Sequence, residues 1–449
     1  MFTTDAYRRL AEFRQAVYRR VLGHRQESLF EIIDALLTAA GPATLARLSQ
    51  APSVQRRWSS FPDALAAGTL DQPALTRLLT RTLPPPAPGE RAVWALDGTV
   101  WPRPQARTSP ERTYGRTPLA GGRPDAVLRP SWEYQWLVAL PEVGGSWMLP
   151  LDVRRRGPDA PLPTVLAIDQ LRAVLATQPR TAAAPVVTFD CGSCPTTLAR
   201  ARLPVDCLVR LVRRRTLFRP PRPARRRGRP PVHGPVFKTH DPTTHGVPDR
   251  EATGPDPRHG AITVRVWQGL HARGGQDAPF TVVCIQAERL PRKDRRPGPL
   301  WLAWLGGPLP ADLLDLWRPY ACRFTIEHGF RFSKQDLGWT RVRLRDPAAA
   351  DRWTWLVALV FWELWLARDL VADRRLPWER PLPATRLTPG RVRRACPGLF
   401  LRLGTPVPPP HPRGNPPGRR PGDAPGPQPR FPVVRRHPKR PRRPHRRAA

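Results

Sequence analysis

The spacing of apolar positions changes along this chain, and each change marks a different kind of structure. Up to about residue 85, LAEFRQAVYRRVLG and SLFEIIDALLTAA carry apolar residues at helical spacing. Pro42, Pro52 and Pro62 punctuate this region, and Pro84-Pro85-Pro86 ends it. Residues 1–88 are therefore predicted to form a helical N-terminal unit. From Arg91 the period shortens. AVWALDGT, SWEYQWLVAL, SWMLPLDV and APVVTFDCG are short apolar runs bounded by Gly, Pro or Asp, and they read as strands. PTVLAIDQLRAVLATQ lies among them and reads as a helix. Strands on both sides of a helix predict a mixed α/β sheet over 89–209.

Residues 210–307 interrupt this pattern. LVRRRTLFRPPRPARRRGRPPVHG is dense in Arg and Pro, and AITVRVWQGL, FTVVCIQAERL and PLWLAWLGG follow as strand candidates. The expectation is an inserted β-rich subdomain with a basic loop at its start. Helical periodicity returns over 308–376, in ADLLDLWRPYACRFTIEHGFRFSKQDLGW and AAADRWTWLVALVFWELWLARDLVA. The second stretch is apolar almost all round and is predicted to be buried. A short segment, 377–403, follows. Residues 404–449 hold 15 Pro and 11 Arg against a single acid, Asp423. Such a composition cannot bury a core and predicts disorder.

Charge narrows the class. The 449 residues carry 74 Lys plus Arg against 36 Asp plus Glu, a formal net charge of +38. The tail supplies part of this, and the body stays strongly basic without it. A surface of this sign favours a polyanion, with nucleic acid first and anionic membrane as the rival. No run of about 18 uninterrupted apolar residues is present. The best candidate, 353–366, is short and carries Glu363. The start MFTTDAYRRLAEF is polar and charged, unlike a secretory signal, so a cytoplasmic protein is expected. Nearly all the positive charge is arginine, which suits bidentate phosphate contacts. GC-rich coding explains much of the Arg-to-Lys ratio but less of the excess of base over acid. The six cysteines are Cys191, Cys194, Cys207, Cys284, Cys322 and Cys396. Cys191 and Cys194 have CxxC spacing, but a zinc site needs a second pair and the sequence has none. They are read as small buried residues beside a strand end, and all six as reduced thiols.

Three acids stand where chemistry could occur. Asp97 follows Ala92-Val93-Trp94-Ala95-Leu96, and Asp190 follows Val186-Val187-Thr188-Phe189. Each carboxylate sits where a strand is predicted to give way to a loop, and adjacent strand ends could bring the two together over a metal. Strand-end Asp residues are common in α/β proteins, so the pair alone leaves a structural reading open. Asp152, Asp169 and Asp206 compete with them but follow weaker strand patterns. In Tyr320-Ala-Cys-Arg323-Phe-Thr-Ile-Glu327-His-Gly-Phe-Arg-Phe-Ser-Lys334 the polar positions recur at intervals of three, four and seven. At roughly 100° per residue they fall within about 60° of one another on a helix. Arg323 and Glu327 are also an i,i+4 pair, so a salt-bridged helix surface explains the pattern equally well by geometry.

The spacing Tyr-x2-Arg-x3-Glu-x6-Lys resembles the YREK signature of a large group of bacterial insertion-sequence DDE transposases of the cut-and-paste type. Tyr320, Arg323, Glu327 and Lys334 match it. ALDGT and TFDCG resemble the two aspartate motifs of that group, in the same order, and the long stretch between Asp190 and Glu327 resembles its β-rich insertion. The resemblance covers about residues 90–370. One departure is CGSC after Asp190, where the group has Gly-Tyr or Gly-Phe. The resemblance implies an α/β, ribonuclease-H-like core and a DNA-binding N-terminal unit. It further implies two Mg²⁺ ions, replaceable by Mn²⁺, with Asp97 bridging both and Asp190 and Glu327 each serving one. Such ions activate the attacking water or 3′-hydroxyl in DNA cleavage and strand transfer. Tyr320, Arg323 and Lys334 would be phosphate contacts. Implied partners are double-stranded DNA with terminal inverted repeats, and a second copy in a DNA-bound dimeric synaptic complex. The implied location is the bacterial nucleoid.

Other readings attach to single residues. Arg227-Gly-Arg229-Pro230 resembles an AT-hook core, although a general backbone-binding loop explains it better. Trp301 or Trp304 could stack on a flipped base as the resembled enzymes do, against ordinary core packing. His328, beside Glu327, is a further candidate near the metals. Two alternatives for the whole chain stay open: a non-catalytic DNA-binding protein descended from a decayed transposase, and an RNA-processing nuclease with the same core.

Overall fold

The computed structural model describes residues 4–41, 44–118, 126–142, 144–179, 183–221, 231–289, 298–411, 422 and 430–434. Five helices come first: α1 (Thr4–Ala16), α2 (Gln26–Thr38), α3 (Leu45–Leu48), α4 (Ser60–Ala67) and α5 (Gln72–Thr82). A π-helical turn, Val17–Val21, extends α1. Asp71 caps α5 by accepting from the Ala74 N–H at 2.8 Å, with Pro73 in the first turn.

Four strands follow: β1 (Val93–Pro102), β2 (Thr113–Pro118), β3 (Ala126–Leu140) and β4 (Leu149–Arg156). Then come α6 (Pro163–Leu175), β5 (Val186–Phe189), α7 (Pro195–Ala201) and β6 (Asp206–Arg210). β3 runs antiparallel to β1 and to β4, while β5 pairs parallel with β1 and β6 parallel with β5. The spatial order is thus β4-β3-β1-β5-β6, the ribonuclease-H-like arrangement expected from the sequence. One expectation changes. β1 does not end at Asp97 but runs on to Pro102, because β3 pairs with it all the way to Ser131.

The chain between β6 and the later helices forms β7 (Thr216–Phe218), β8 (Val236–Lys238), β9 (Arg250–Asp256), β10 (Gly260–Leu270), β11 (Phe280–Ala287) and β12 (Leu300–Leu305). β7 and β8 make a separate hairpin. The other four are not detached from the core: β12 pairs antiparallel with β6, and β11, β10 and β9 follow, giving one ten-stranded sheet. Apolar side chains of β6, β10, β11 and β12 alternate onto a second hydrophobic cluster that includes Leu208, Val264, Val283 and Leu302.

The helices after the sheet are α8 (Trp317–Cys322), α9 (Thr325–Gln335), α10 (Pro347–Ala367), α11 (Pro389–Ala395) and α12 (Pro397–Leu403). As its all-round apolar sequence predicts, α10 is buried, packed between β4 and the N-terminal helices α1, α2 and α4. Trp362 stacks on Phe13 with centroids 6.3 Å apart and donates to the Pro150 carbonyl at 2.8 Å. Among the described residues no helix is long and apolar enough to cross a membrane.

The tail differs in part from expectation. Within 404–449, Val407 is buried, the Gly404 and Pro408 carbonyls accept from Arg14 and Arg56, and the Val434 N–H donates to the Arg107 carbonyl. Short apolar and backbone contacts hold these pieces where bulk composition predicts nothing ordered.

Glu363 is the one acid inside α10 apart from Asp351 near its start, and it is fully buried. Arg14 of α1 donates to Glu363 and, at 2.6 Å, to Asp34 of α2. This triad ties the N-terminal helices to the sheet-packing helix. Burial pushes the Glu363 carboxyl up to about 7, Arg14 opposes the rise and Asp34 adds to it. An acid whose folded value is raised binds more protons folded than unfolded. Stability is then highest below about 4.5 and declines as pH rises toward about 7. Glu363→Gln is expected to remove that decline. Urea unfolding of both proteins from pH 4.5 to 7.5 checks this, and a wild-type-minus-variant difference that stays constant with pH would contradict it.

Candidate active site

The last parallel pair between β1 and β5 is Leu96 with Phe189, and both side chains are buried. Side chains alternate along a strand, so the next residues, Asp97 and Asp190, emerge together on the opposite face. That face is covered by α8 and α9. Trp136, the register partner of Asp97 on β3, meets Phe330 of α9 edge-on at 5.9 Å and Trp339 at 5.8 Å. Gly329 lets α9 come this close: a Cβ there would lie 2.2 Å from Met148 Sδ.

The segment predicted as one helix is two. Arg323 and Phe324 join α8 to α9 with helical dihedrals but i,i+3 bonds, Glu327 N–H donating to the Phe324 carbonyl at 3.1 Å. The tightened turn keeps Tyr320, Arg323, Glu327 and Lys334 on the sheet-facing side.

Arg323 is the centre of the arrangement. Its side chain is buried, and Nη1 donates to Asp97 Oδ2 at 2.8 Å. Its Nη2 lies 3.9 Å from Asp190 Oδ1 and 3.9 Å from Glu327 Oε1. The structure thus brings all three predicted acids around one guanidinium. The other oxygen of Asp97 accepts from the Gly98 N–H at 2.7 Å. Asp190 Oδ1 is buried without a hydrogen-bond partner, with Arg210 of β6 at 3.7 Å. Burial raises the Asp97 pKa, Arg323 and the Gly98 N–H oppose, and the charge of Asp190 adds to the rise. Burial is the largest influence on Arg323 and works against its charge, but Asp97, Tyr320 and Asp190 together outweigh it and the guanidinium is held more firmly protonated.

Tyr320 is buried beside Arg323, whose Cζ lies 5.9 Å from the ring centroid, and burial raises the phenol. Lys334 reaches across to β1 and donates to Thr99 Oγ1 at 2.6 Å. Burial pulls its pKa down to about 8. Two residues here were not singled out from the sequence. Thr99 shares a strand face with Asp97 two positions away, which period-two alternation could have flagged. Arg210 could not be found without the sheet order.

Other sequence candidates lie elsewhere. His328 is exposed and packs edge-on against Phe324 at 5.2 Å. Trp301 is enclosed by Phe237, His245 and Trp267, and Trp304 is buried with its Nε1 donating to the Gly307 carbonyl. Asp152 pairs with Leu137 in register and binds Arg154 at 2.8 Å, so it faces away from Asp97. Asp169 is exposed on α6, and Asp206 is held by Arg91 and the Gly307 N–H. Arg227 and Arg229 lie outside the described residues. Cys191 and Cys194, in the turn after β5, are free thiols but exposed, not buried as the sequence suggested.

Among the described residues, no three His, Cys, Asp or Glu side chains are grouped tightly enough to hold a metal ion. The donor set nonetheless suits a hard divalent cation: three carboxylates converge on one cation, and one buried carboxylate oxygen lacks a hydrogen-bond partner.

Comparison with known proteins adds a family. Residues 17–273 match the model of a family described as DDE superfamily endonuclease. The match takes in Asp97 and Asp190 and stops before Glu327. No curated protein matches the chain. Among solved structures, the piggyBac transposase synaptic complex with hairpin DNA aligns at a TM-score of 0.41 and 10% identity, covering 90% of this chain and 78% of that one.

Two outcomes follow from the packing. Gly329→Ala is expected to cost about 1–3 kcal/mol by overpacking against Met148, read as a lower urea midpoint; an unchanged midpoint would show that α9 is not held so closely. For Lys334, a lowered folded value means the unfolded chain binds more protons between about 8 and 10.5, so stability climbs with pH there. In Lys334→Met that climb should vanish, as denaturation across pH 7.5–10.5 would reveal.

Proposed function

The chain belongs to the DDE superfamily of endonucleases, and on that premise we propose that it is a cut-and-paste DNA transposase acting on the ends of its own insertion sequence. The observation that carries this reading is the convergence of Asp97, Asp190 and Glu327, from β1, the end of β5 and α9, on the buried Arg323. Family members generally use divalent metals. Asp97, Asp190 and Glu327 would hold two Mg²⁺ ions, which when bound supply an activated water or 3′-hydroxyl and stabilise the departing oxygen.

The chain's own groups do the rest. Lys334 and Arg323 bind phosphate oxygens of the scissile strand and keep it over the carboxylates, with Tyr320 packed behind Arg323 to hold its direction. The partially exposed Glu327 lines the entrance from solvent. The excess of base over acid that the body keeps without its tail draws duplex DNA to it. Terminal inverted repeats are the specific substrate, and two copies of the chain hold two ends together.

The test uses purified protein, duplexes carrying the inverted repeats that flank its gene, and Mg²⁺ or Mn²⁺. Strand cleavage at the repeat end is expected, and a chelator should stop it. Asp97→Asn, Asp190→Asn and Glu327→Gln should each lower cleavage by at least about 10²–10³-fold while DNA binding persists. If Asp97→Asn cleaves like wild type, the catalytic assignment is wrong. Binding without cleavage in the wild type would instead favour a non-catalytic DNA-binding protein.

A further inference from the structure

The arrangement around Arg323 has more in it than charge balance. Both oxygens of Asp97 are already taken, one by the Gly98 N–H at 2.7 Å and one by Arg323 at 2.8 Å. The other two acids differ. Asp190 Oδ1 is buried without a hydrogen-bond partner, with Arg210 at 3.7 Å and Arg323 at 3.9 Å, and Glu327 meets Arg323 only at 3.9 Å with nearly half its side chain exposed. Asp190 and Glu327 are thus held only by longer ion pairs and keep part of their side chains exposed, while Asp97 alone is closed by a guanidinium hydrogen bond.

We propose that Arg323 is a built-in counter-cation that closes Asp97 in the metal-free protein and is displaced from it when divalent ions enter. This rests on the proposed two-metal site and adds to it a switch within the chain. Three carboxylates brought to one partly buried place repel one another and lose hydration, and an internal cation offsets both effects. A divalent ion on Asp97 Oδ2 would share that oxygen with a like charge hydrogen-bonded to it. In a site of low effective dielectric, the two compete instead of coexisting. The side chain has somewhere to go. Glu327 and Asp190 both open toward solvent, so the freed guanidinium stays in the mouth of the site, where a phosphate of the substrate would arrive. Metal loading then does two things together: it fills the carboxylates and presents Arg323 to DNA. In the absence of metal, the strongest phosphate-binding group of the site is turned inward.

Arg323 by this account serves first as the counter-cation of Asp97 and then as a phosphate contact, and metal binding reads the first role without any turnover. The experiment uses the full chain without DNA, titrated with Mn²⁺ by calorimetry and followed by thermal unfolding with and without the ion. Arg323→Ala should unfold at lower temperature than wild type when metal-free, since three acids lose their shared cation. It should bind Mn²⁺ about ten- to a hundredfold more tightly, the loss of one competing charge-assisted hydrogen bond, and gain more thermal stability from it. Arg323→Lys keeps the charge and should stay near wild type in both readings. Should Arg323→Ala not fold, Arg323→Gln removes the charge with similar volume and carries the same expectation. Asp97→Asn placed in the Arg323→Ala background should erase the gain. Equal Mn²⁺ affinity in wild type and the charge-removing variants would overturn the switch and leave the two-metal site standing. An absence of Mn²⁺ binding in all of them would overturn the site itself and the switch with it.

Discussion

The parallel register of β1 against β5 is the constraint on which the candidate site depends. Pairing that stops at Leu96 with Phe189 leaves the next residue of each strand on the same side of the sheet. Had the register slipped by one residue, one aspartate would point into the core beneath α6. Everything else near the site maintains or uses this pairing. Thr188 donates to the Trp94 carbonyl across the two strands, β3 holds the far edge of β1 along its whole length, and β6 supports the other edge of β5. The aromatic layer of Trp101, Trp132, Trp136 and Trp339 then fixes the helix that brings Glu327 and Arg323 over the pair.

The molecule meets the cost of buried carboxylates in the same manner at two places, and the differences show what each is for. Arg14 lies between Asp34 and Glu363, all enclosed, and joins three helices. Nothing can enter there, and the unit serves cohesion. Arg323 lies between Asp97, Asp190 and Glu327, but Asp190 and Glu327 keep 39% and 46% of their side-chain exposure. An arginine between acids is a structural clamp when sealed and an exchangeable one when open on one side. Desolvation is severe enough in both to lift an acid's pKa, at Glu363 and at Asp97, yet solvent reaches the acids of the second cluster alone.

Much of this was legible in the sequence, and the failures share a physical cause. Short apolar runs and helical spacing located β1, β5, α6 and α10, since periodicity reports which face is buried. The face shared by Tyr320, Arg323, Glu327 and Lys334 was legible because helical geometry links positions three and four apart, and a tightened turn between α8 and α9 did not change it. What sequence could not carry was pairing between distant strands. Asp97 read as a strand end because it closes the apolar run from Ala92 to Leu96, whereas β3 pairs with β1 through Pro102. The strands of 210–307 read as an inserted β-rich subdomain, but the sequence did not show that β12 pairs with β6 and joins them to the core sheet. Cys191 and Cys194 read as buried because small apolar thiols usually are, but the turn that carries them leaves both exposed. The Pro/Arg composition of the tail hid Val407 and the 430–434 contacts, because a few specific contacts do not alter bulk composition.

Two independent lines therefore meet at one guanidinium. The family match spans Asp97 and Asp190 and ends at residue 273, so it says nothing of Glu327. The helical spacing that singles out Glu327 lies wholly beyond that match and says nothing of the strands. A helix surface of four polar residues could face solvent anywhere, and two strand-end aspartates could bind nothing. Arg323 removes that freedom, since it belongs to the helical pattern by position and to the aspartates by its 2.8 Å bond to Asp97. A salt-bridged helix surface needs only the Arg323–Glu327 pair, and at 3.9 Å that is among the weaker of the contacts Arg323 makes. The stronger contact runs from helix to strand, and it draws the helical pattern and the strand aspartates to one guanidinium.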